Sequence, residues 1–193
     1  MMINPNMSLK LLAIPNNSRL FLKRTRAPKY QECFQKMFEQ QTCCHFCRHE
    51  NTPLHIINLD HDYTNNARQN LVLACDFCTY VQHLDFNFQL TQAEQYIIYL
   101  PTESQQRLHQ HYHHWQKMIK QKQDIFAIQE AIAELAERSQ LLDEIIGFKT
   151  SFKDQLALLL KPYDNNHSLL SHLRWLPSFE FLRSFNLADQ WFR

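Results

Sequence analysis

The sequence predicts an α+β fold: a small cysteine-knuckle core of two strands and a helix, an N-terminal β-hairpin, and a helical C-terminal half. Three observations carry this expectation. Two C-x-x-C pairs, Cys44–Cys47 and Cys75–Cys78, enclose two short β-branched runs and are followed by an apolar run. Residues 103–146 contain neither proline nor glycine and are rich in Gln, Glu, Lys, Ala, Leu and Ile. Residues 8–23 hold two apolar-rich runs on either side of Pro15-Asn16-Asn17, a turn cluster.

Taken in order, residues 8–14 and 19–23 form the expected hairpin, followed by a short basic linker with Lys23, Arg24, Arg26 and Lys29. Tyr30, Phe34, Met37 and Phe38 recur at helical spacing, so residues 30–41 read as a helix. Residues 54–59 and 71–74 read as strands, with the turn-rich run 60–66 between them and a helix over 77–86 after the second knuckle. Thr91 with Glu94 forms a capping box, which predicts a helix over 92–100, and Thr102 caps the next. Residues 103–146 read as two antiparallel helices broken near 120–124, since one unbroken rod of that length would signal a coiled coil. Gly147 stands where a C′ glycine belongs. Three short amphipathic segments follow, at 151–160, 168–176 and 179–192. Residues 1–90 are expected to form one region and residues 91–193 a helical region packed on it as one unit.

Composition narrows the function. The chain has 193 residues, 20 Lys and Arg, 19 Asp and Glu, and a formal net charge of +1, so no general field favours nucleic acid or an acidic membrane. Average usage would give about 14 glycines; this chain has one. A P-loop or a dinucleotide fingerprint needs several glycines close together to wrap a phosphate, so both are excluded. No apolar run approaches the ~20 residues that cross a bilayer, and the first fifteen residues make a poor secretory signal. A soluble cytoplasmic protein is expected.

The six cysteines are then better explained by metal than by disulfides. Each C-x-x-C pair has the bite of a zinc knuckle, and two knuckles give four thiolates around one tetrahedral ion with no open position. Cys44, Cys47, Cys75 and Cys78 are the predicted ligands of one structural Zn²⁺. Cys43 offers the same ligand with a slightly longer bite, and spacing alone does not choose between it and Cys44. Cys33 reads as a small core residue of a helix. His109, His111, His113 and His114 crowd one predicted helix, and His109 with His113 are four apart, but no Glu follows His109 and the cluster reads as a polar face.

Asp60-His61, a loop, Asn70-Leu71-Val72 and Cys75-x-x-Cys78 together resemble the zinc-knuckle HNH endonucleases. That resemblance implies a ββα-metal fold with His61 as general base, Asp60 as cation ligand and Asn70 fixing the loop. Thr79 stands where a third cation ligand is usual, His83 lies one turn further on, and Asp60, Asp62, Asp76 and Asp85 outnumber Arg48 and Arg68. Asp60, His61 and Asn70 are therefore expected to be vestigial, with His61 a loop histidine bonded to the Asn-rich turn, and a metal-dependent endonuclease is the alternative.

A second resemblance covers nearly the whole chain. Residues 9–15, 18–24 and 58–66, Asn70-Leu-Val with Cys75-x-Phe-Cys78, residues 90–94 and 98–101, and residues 173–178 with Trp191 resemble the IcmJ (DotN) family of the Dot/Icm type IVB secretion system. The resemblance implies no enzymatic activity and a place in the coupling complex at the cytoplasmic face of the inner membrane. Its implied partners are the C-terminal tail of the coupling ATPase DotL, DotM and the IcmS–IcmW adaptor pair, and its implied role is effector recruitment. No nucleic acid is expected as a partner.

Overall fold

The computed structural model describes residues 8–88 and 95–188, and it is α+β as expected. The helices are α1 (Asn17–Thr25), α2 (Pro28–Phe38), α3 (Asp76–Tyr80), α4 (Gln105–Lys120), α5 (Ile125–Ile146), α6 (Phe152–Ala157) and α7 (Phe179–Ser184). The strands are β1 (Leu54–Asn58), β2 (Leu71–Cys75), β3 (Gln95–Tyr99) and β4 (Leu173–Pro177). Two antiparallel pairs result, β1 with β2 and β3 with β4.

The central ββα unit follows the predicted order. Leu54 pairs with Cys75 at one end of the first sheet and Asn58 with Leu71 at the other. All five residues of β2 are buried, the pattern of a strand covered on both faces. The helix after β2 is shorter than predicted: α3 ends at Tyr80 and a 3₁₀ turn, Leu84–Phe88, takes over.

The N-terminal hairpin is not formed. Residues 8–14 run without helix or strand, held by Leu12 N–H to the Val81 carbonyl (2.9 Å), Leu84 N–H to the Leu12 carbonyl (2.9 Å) and Ala13 N–H to the Leu159 carbonyl (2.7 Å). The second run is the helix α1. Its Leu20-Phe21-Leu22 core suits either structure locally, and Asn16 decides: in the left-handed region at φ 69°, it offers its carbonyl to the Leu20 N–H at 3.0 Å, so the turn opens a helix. Phe21 is then fully buried.

Two further corrections lie in the second half. The helix expected over 92–100 is the strand β3; the Tyr96-Ile-Ile-Tyr99 run carries strand-forming side chains, and Ile97 and Ile98 are fully buried between neighbours. The proposed cap Thr91–Glu94 lies outside the described residues. The segment 168–176 forms the partner strand β4, preceded by a 3₁₀ turn at Leu170–His172. Trp175, fully buried on β4, gathers the rings of Tyr80, Tyr112, Phe181 and Phe185 at centroid distances of 5.1 to 6.2 Å.

The long helical stretch breaks as predicted. Lys122 and Asp124 take left-handed conformations between α4 and α5, while Ser104, not Thr102, caps α4 by accepting the Arg107 N–H at 3.2 Å. Gly147 ends α5 at φ 85°, its N–H on the Asp143 carbonyl. Ser151 and Asp154 form a reciprocal capping box on α6.

Candidate metal centre

Cys44, Cys47, Cys75 and Cys78 come together, their sulfur atoms all within 4.8 Å of one another. Each is at most 1% exposed. Cys47 Sγ and Cys75 Sγ are 3.6 Å apart, close to the ~3.8 Å edge of a tetrahedron with 2.3 Å metal–sulfur bonds. The donor set therefore fits a tetrahedral thiophilic ion, and zinc is the usual one. Cys43 is half-buried and outside the group. Cys33 sits half-buried on α2 against the core.

Local hydrogen bonds shape both knuckles. In the first, the Cys44 N–H donates to the His49 carbonyl (3.0 Å) and the Arg48 N–H to the Cys44 carbonyl (3.1 Å). Arg48, at φ 61°, occupies a left-handed position that glycine usually fills. The His45 N–H donates to the Leu73 carbonyl at 2.7 Å, tying the first knuckle to the strand that carries the second. Cys75 ends β2 and Cys78 lies in α3. The thiols are electrostatically coupled. Burial opposes ionisation of Cys44, yet hydrogen bonds from Cys47, Cys75 and Cys78 hold its thiol far below the usual range. Burial, with the Cys44 charge already present, pushes Cys75 and Cys78 up. Four buried thiols cannot all ionise together without a cation among them.

Two histidines close the site from α4, where a polar surface had been expected. His109 Nδ1 lies 3.1 Å from Cys78 Sγ and His113 Nε2 lies 3.3 Å from Cys75 Sγ. The tautomer of His109 follows from its neighbours. Gln105 Oε1 accepts the Trp175 N–H (2.8 Å), which orients the amide so that its Nε2 donates to His109 Nε2 (2.8 Å). The proton of His109 is thus on Nδ1, aimed at the Cys78 sulfur. Burial first, then the neighbouring imidazoles, lower both histidines to about 3, so they donate as neutral rings. Gln110 adds a bond from Nε2 to the Cys47 carbonyl at 2.9 Å. The sequence did hold a signal for this: Gln105, Leu108, His109, Tyr112 and His113 recur at i, i+3, i+4, i+7 and i+8, a complete buried stripe. Removing such donors typically lowers metal affinity about 10–100-fold. His113→Phe is expected to keep its packing on Phe77 and lose zinc to a competing chelator at a concentration lower by that factor; equal retention by both proteins would show that the N–H···S contact does not support the metal.

The HNH-like positions occupy the opposite end of the β1–β2 pair, about 13 Å of strand away. Asn70 Nδ2 donates to Asp60 Oδ1 (2.8 Å), its Oδ1 accepts the Asp60 N–H (2.9 Å), and Asn65 Nδ2 reaches Asp60 Oδ2 (2.6 Å). Desolvation opposes ionisation of Asp60, yet hydrogen bonds from the Asp62 N–H, Asn70 and Asn65 together hold its carboxylate below the usual range. The Asn-rich turn is held by these carboxylate and amide groups. His61 contributes its backbone, its N–H donating to the Asn58 carbonyl (3.2 Å).

Helix α1 covers this end. Asn17 Nδ2 donates to the His61 carbonyl (2.9 Å), and Ser18 gives both its N–H (3.0 Å) and its hydroxyl (2.7 Å) to Asp85 Oδ2. Phe21 packs on His83 (4.7 Å) and Tyr63 (6.0 Å), and Arg24 bonds Asn58 Oδ1 and the Ile56 carbonyl, its guanidinium 4.8 Å above the Tyr63 ring. His83, fully buried, bonds the Thr79 carbonyl through Nδ1 at 2.7 Å. Burial drives His83 to about 3 and, with Lys10, His61 to about 4. The folded chain therefore binds fewer protons than the unfolded chain between those values and about 6.5. Stability from these groups is full above pH 6.5 and is lost as pH falls towards 4. His83→Gln is expected to flatten the acid limb of a plot of Tm against pH relative to the wild type; the thiolates titrate equally in both proteins, and parallel curves would contradict the account.

No family model matches the chain. Over 72 residues, 36% of the chain, it is 42% identical to the type 4 apparatus protein DotN of Legionella pneumophila subsp. pneumophila (strain Philadelphia 1), and that stretch is 34% of the relative. The chain thus spans about a third of the length of the curated relative it matches. Among the described residues no helix is long and apolar enough to cross a membrane.

Proposed function

We propose that this chain is a non-enzymatic, zinc-stabilised subunit of a type IVB secretion coupling complex, binding the C-terminal tail of the coupling ATPase and supporting effector recruitment. DotM and the IcmS–IcmW pair would be its neighbours at the cytoplasmic face of the inner membrane. The similarity to DotN supports the assignment to the apparatus. The observation that carries the non-enzymatic reading is the burial beside the Asp60–His61 pair: Asp60 is exposed and His61 half-buried, but Thr79 and His83, the positions that could supply a further cation ligand, are fully buried. A nuclease of this type needs a cation held beside the scissile phosphate by more than one ligand, whereas α1 seats Phe21 against His83 and Tyr63 and ties Asn17 to the His61 backbone. The cysteine cluster at the other end supplies four ligands and two further donors, leaving no position for substrate.

The test is co-purification of the full chain with the C-terminal tail of the coupling ATPase from the same genome. A one-to-one complex surviving gel filtration is the expected result, and absence of binding by folded, zinc-loaded protein would refute the adaptor role. The ββα order with Asp60, His61 and Asn70 in place supports the alternative, an HNH-type endonuclease. Cleavage of supercoiled plasmid with Mg²⁺, Mn²⁺ or Ni²⁺, abolished by His61→Ala, would establish it.

A further inference from the structure

Helix α5 gives only one side to the protein. It packs on β3 and β4 and buries Ile128, Ile132 and Leu142, while its other side carries large apolar groups into solvent. Seven large hydrophobics are exposed among the described residues, and four of them stand on α5 or directly after its cap. These are Phe126, Leu141, Ile145 and Phe148, between 39% and 86% exposed.

Helical geometry sets acid among them. At about 100° per residue, Phe126, Leu141 and Ile145 fall within one arc about 100° wide, opposite the buried isoleucines. Glu130, Glu134, Glu137 and Glu144 fall within the same arc and are exposed. Among the described residues no ion pair engages any of the four. Arg138, the one cation of the helix, stands at the edge of the arc, and Asp143 lies off it, its carboxylate accepting the Thr150 N–H (2.9 Å). The face is therefore apolar at both ends with Glu130, Glu134 and Glu137 between, and it runs about 28 Å from Phe126 to Ile145.

We infer that this face of α5 docks a basic amphipathic helix of a protein partner, about five turns long. Its apolar side chains sit against Phe126 at one end and against Leu141 and Ile145 at the other, and its Lys or Arg side chains meet the glutamates between. The acidic charge excludes the other surfaces that take up an amphipathic face, since nucleic acid and anionic bilayers both present phosphate. A second copy of the chain would set the same four glutamates against themselves in an isologous contact, so the occupant is a different chain. An added strand needs unpaired backbone groups, and those of α5 are bonded within the helix, whereas side chains four residues apart form a ridge that a second helix fits. The glutamates give the docking its orientation and rate, and the apolar ends give its residence time. The inference goes beyond the adaptor reading, since nothing in it requires the occupant to be the ATPase tail.

The experiment is selection of random peptides about 20 residues long, displayed on phage, against the zinc-loaded full chain after depletion on the exposed triple variant E130K/E137K/E144K. Fluorescence anisotropy of the surviving sequences follows. They are expected to be rich in Lys and Arg, to carry apolar residues three and four apart, and to lose affinity with salt. The triple variant is expected to weaken them at least about tenfold, and L141S/I145S to weaken them with charge unchanged. Phe126→Ser, at a position 86% exposed, is expected to do the same without disturbing the fold. No peptide surviving depletion, a neutral or acidic consensus, or affinities indifferent to both apolar variants would overturn the proposal. So would binding of phosphatidylglycerol vesicles abolished by L141S/I145S, or a concentration-dependent dimer in sedimentation velocity that the same variant dissolves. The adaptor reading fails separately: absence of tail capture refutes that role and leaves this face untouched.

Discussion

Replacing Cys75 by serine is expected to abolish the cooperative unfolding transition of the whole chain. Cys75 is fully buried at the junction of β2 and α3, and its sulfur faces both Cys47 (3.6 Å) and His113 (3.3 Å). A serine hydroxyl is a weak zinc ligand, so the ion is lost or held by three thiolates. Structural zinc supplies about 10–16 kcal/mol of coupled folding energy in small peptides, against a net stability of about 5–15 kcal/mol for a typical domain. The first number is the larger one. What remains is also worse than a protein that never had the site, because three buried thiols and two imidazoles that faced sulfur lose their partner charge. The disruption should reach α4, since His109 and His113 join that helix to the knuckles. Circular dichroism and thermal denaturation check this: a C75S protein that is soluble and melts at the wild-type temperature would contradict it, whereas aggregation or a non-cooperative melt is the expected result.

Trp175→Ala is expected to cost about 3–5 kcal/mol, the usual range for an aromatic lost from a core, or roughly 10 °C in Tm for a chain of this size. Trp175 is fully buried, and the rings of Phe77, Tyr80, His109, Tyr112, Phe181 and Phe185 surround it at 5.1 to 6.2 Å. The void would open beneath the helix that closes the metal site. The hydrogen-bond loss is minor by comparison: Trp175 Nε1 donates to Gln95 Oε1 (2.8 Å), but Tyr80 also donates there (2.8 Å). Phe126→Ser serves as control, since Phe126 is 86% exposed and such positions usually change stability by less than about 0.5 kcal/mol. Equal melting temperatures for the two variants would refute the packing argument.

The residues that the sequence marked most clearly are those whose pattern was local. Two C-x-x-C pairs need only short spacing, and the break between α4 and α5 needs only a change of composition around Lys122 and Asp124. Gly147 closes a helix by its own conformation. Local pattern is silent where long-range pairing decides. Tyr96 to Tyr99 could be read by the capping box before it or by its own β-branched content; β4, some 75 residues away, settles the question by pairing with it. The run at 19–23 lacks a polar alternation that would separate helix from strand, and its burial depends on Tyr63 and His83, far along the chain. The histidines of α4 owe their burial to a long-range partner as well. A polar residue that flanks an apolar stripe is a surface residue unless something polar waits across the interface, and here sulfur does.

The central claim, that the cysteine cluster is a zinc centre on which the fold depends, is tested most directly by native mass spectrometry of the purified full chain before and after a strong chelator. The account predicts the mass of the chain plus one zinc ion, and a shift to highly charged, unfolded species as the metal leaves. A metal-free chain with the narrow charge distribution of a folded protein would contradict it.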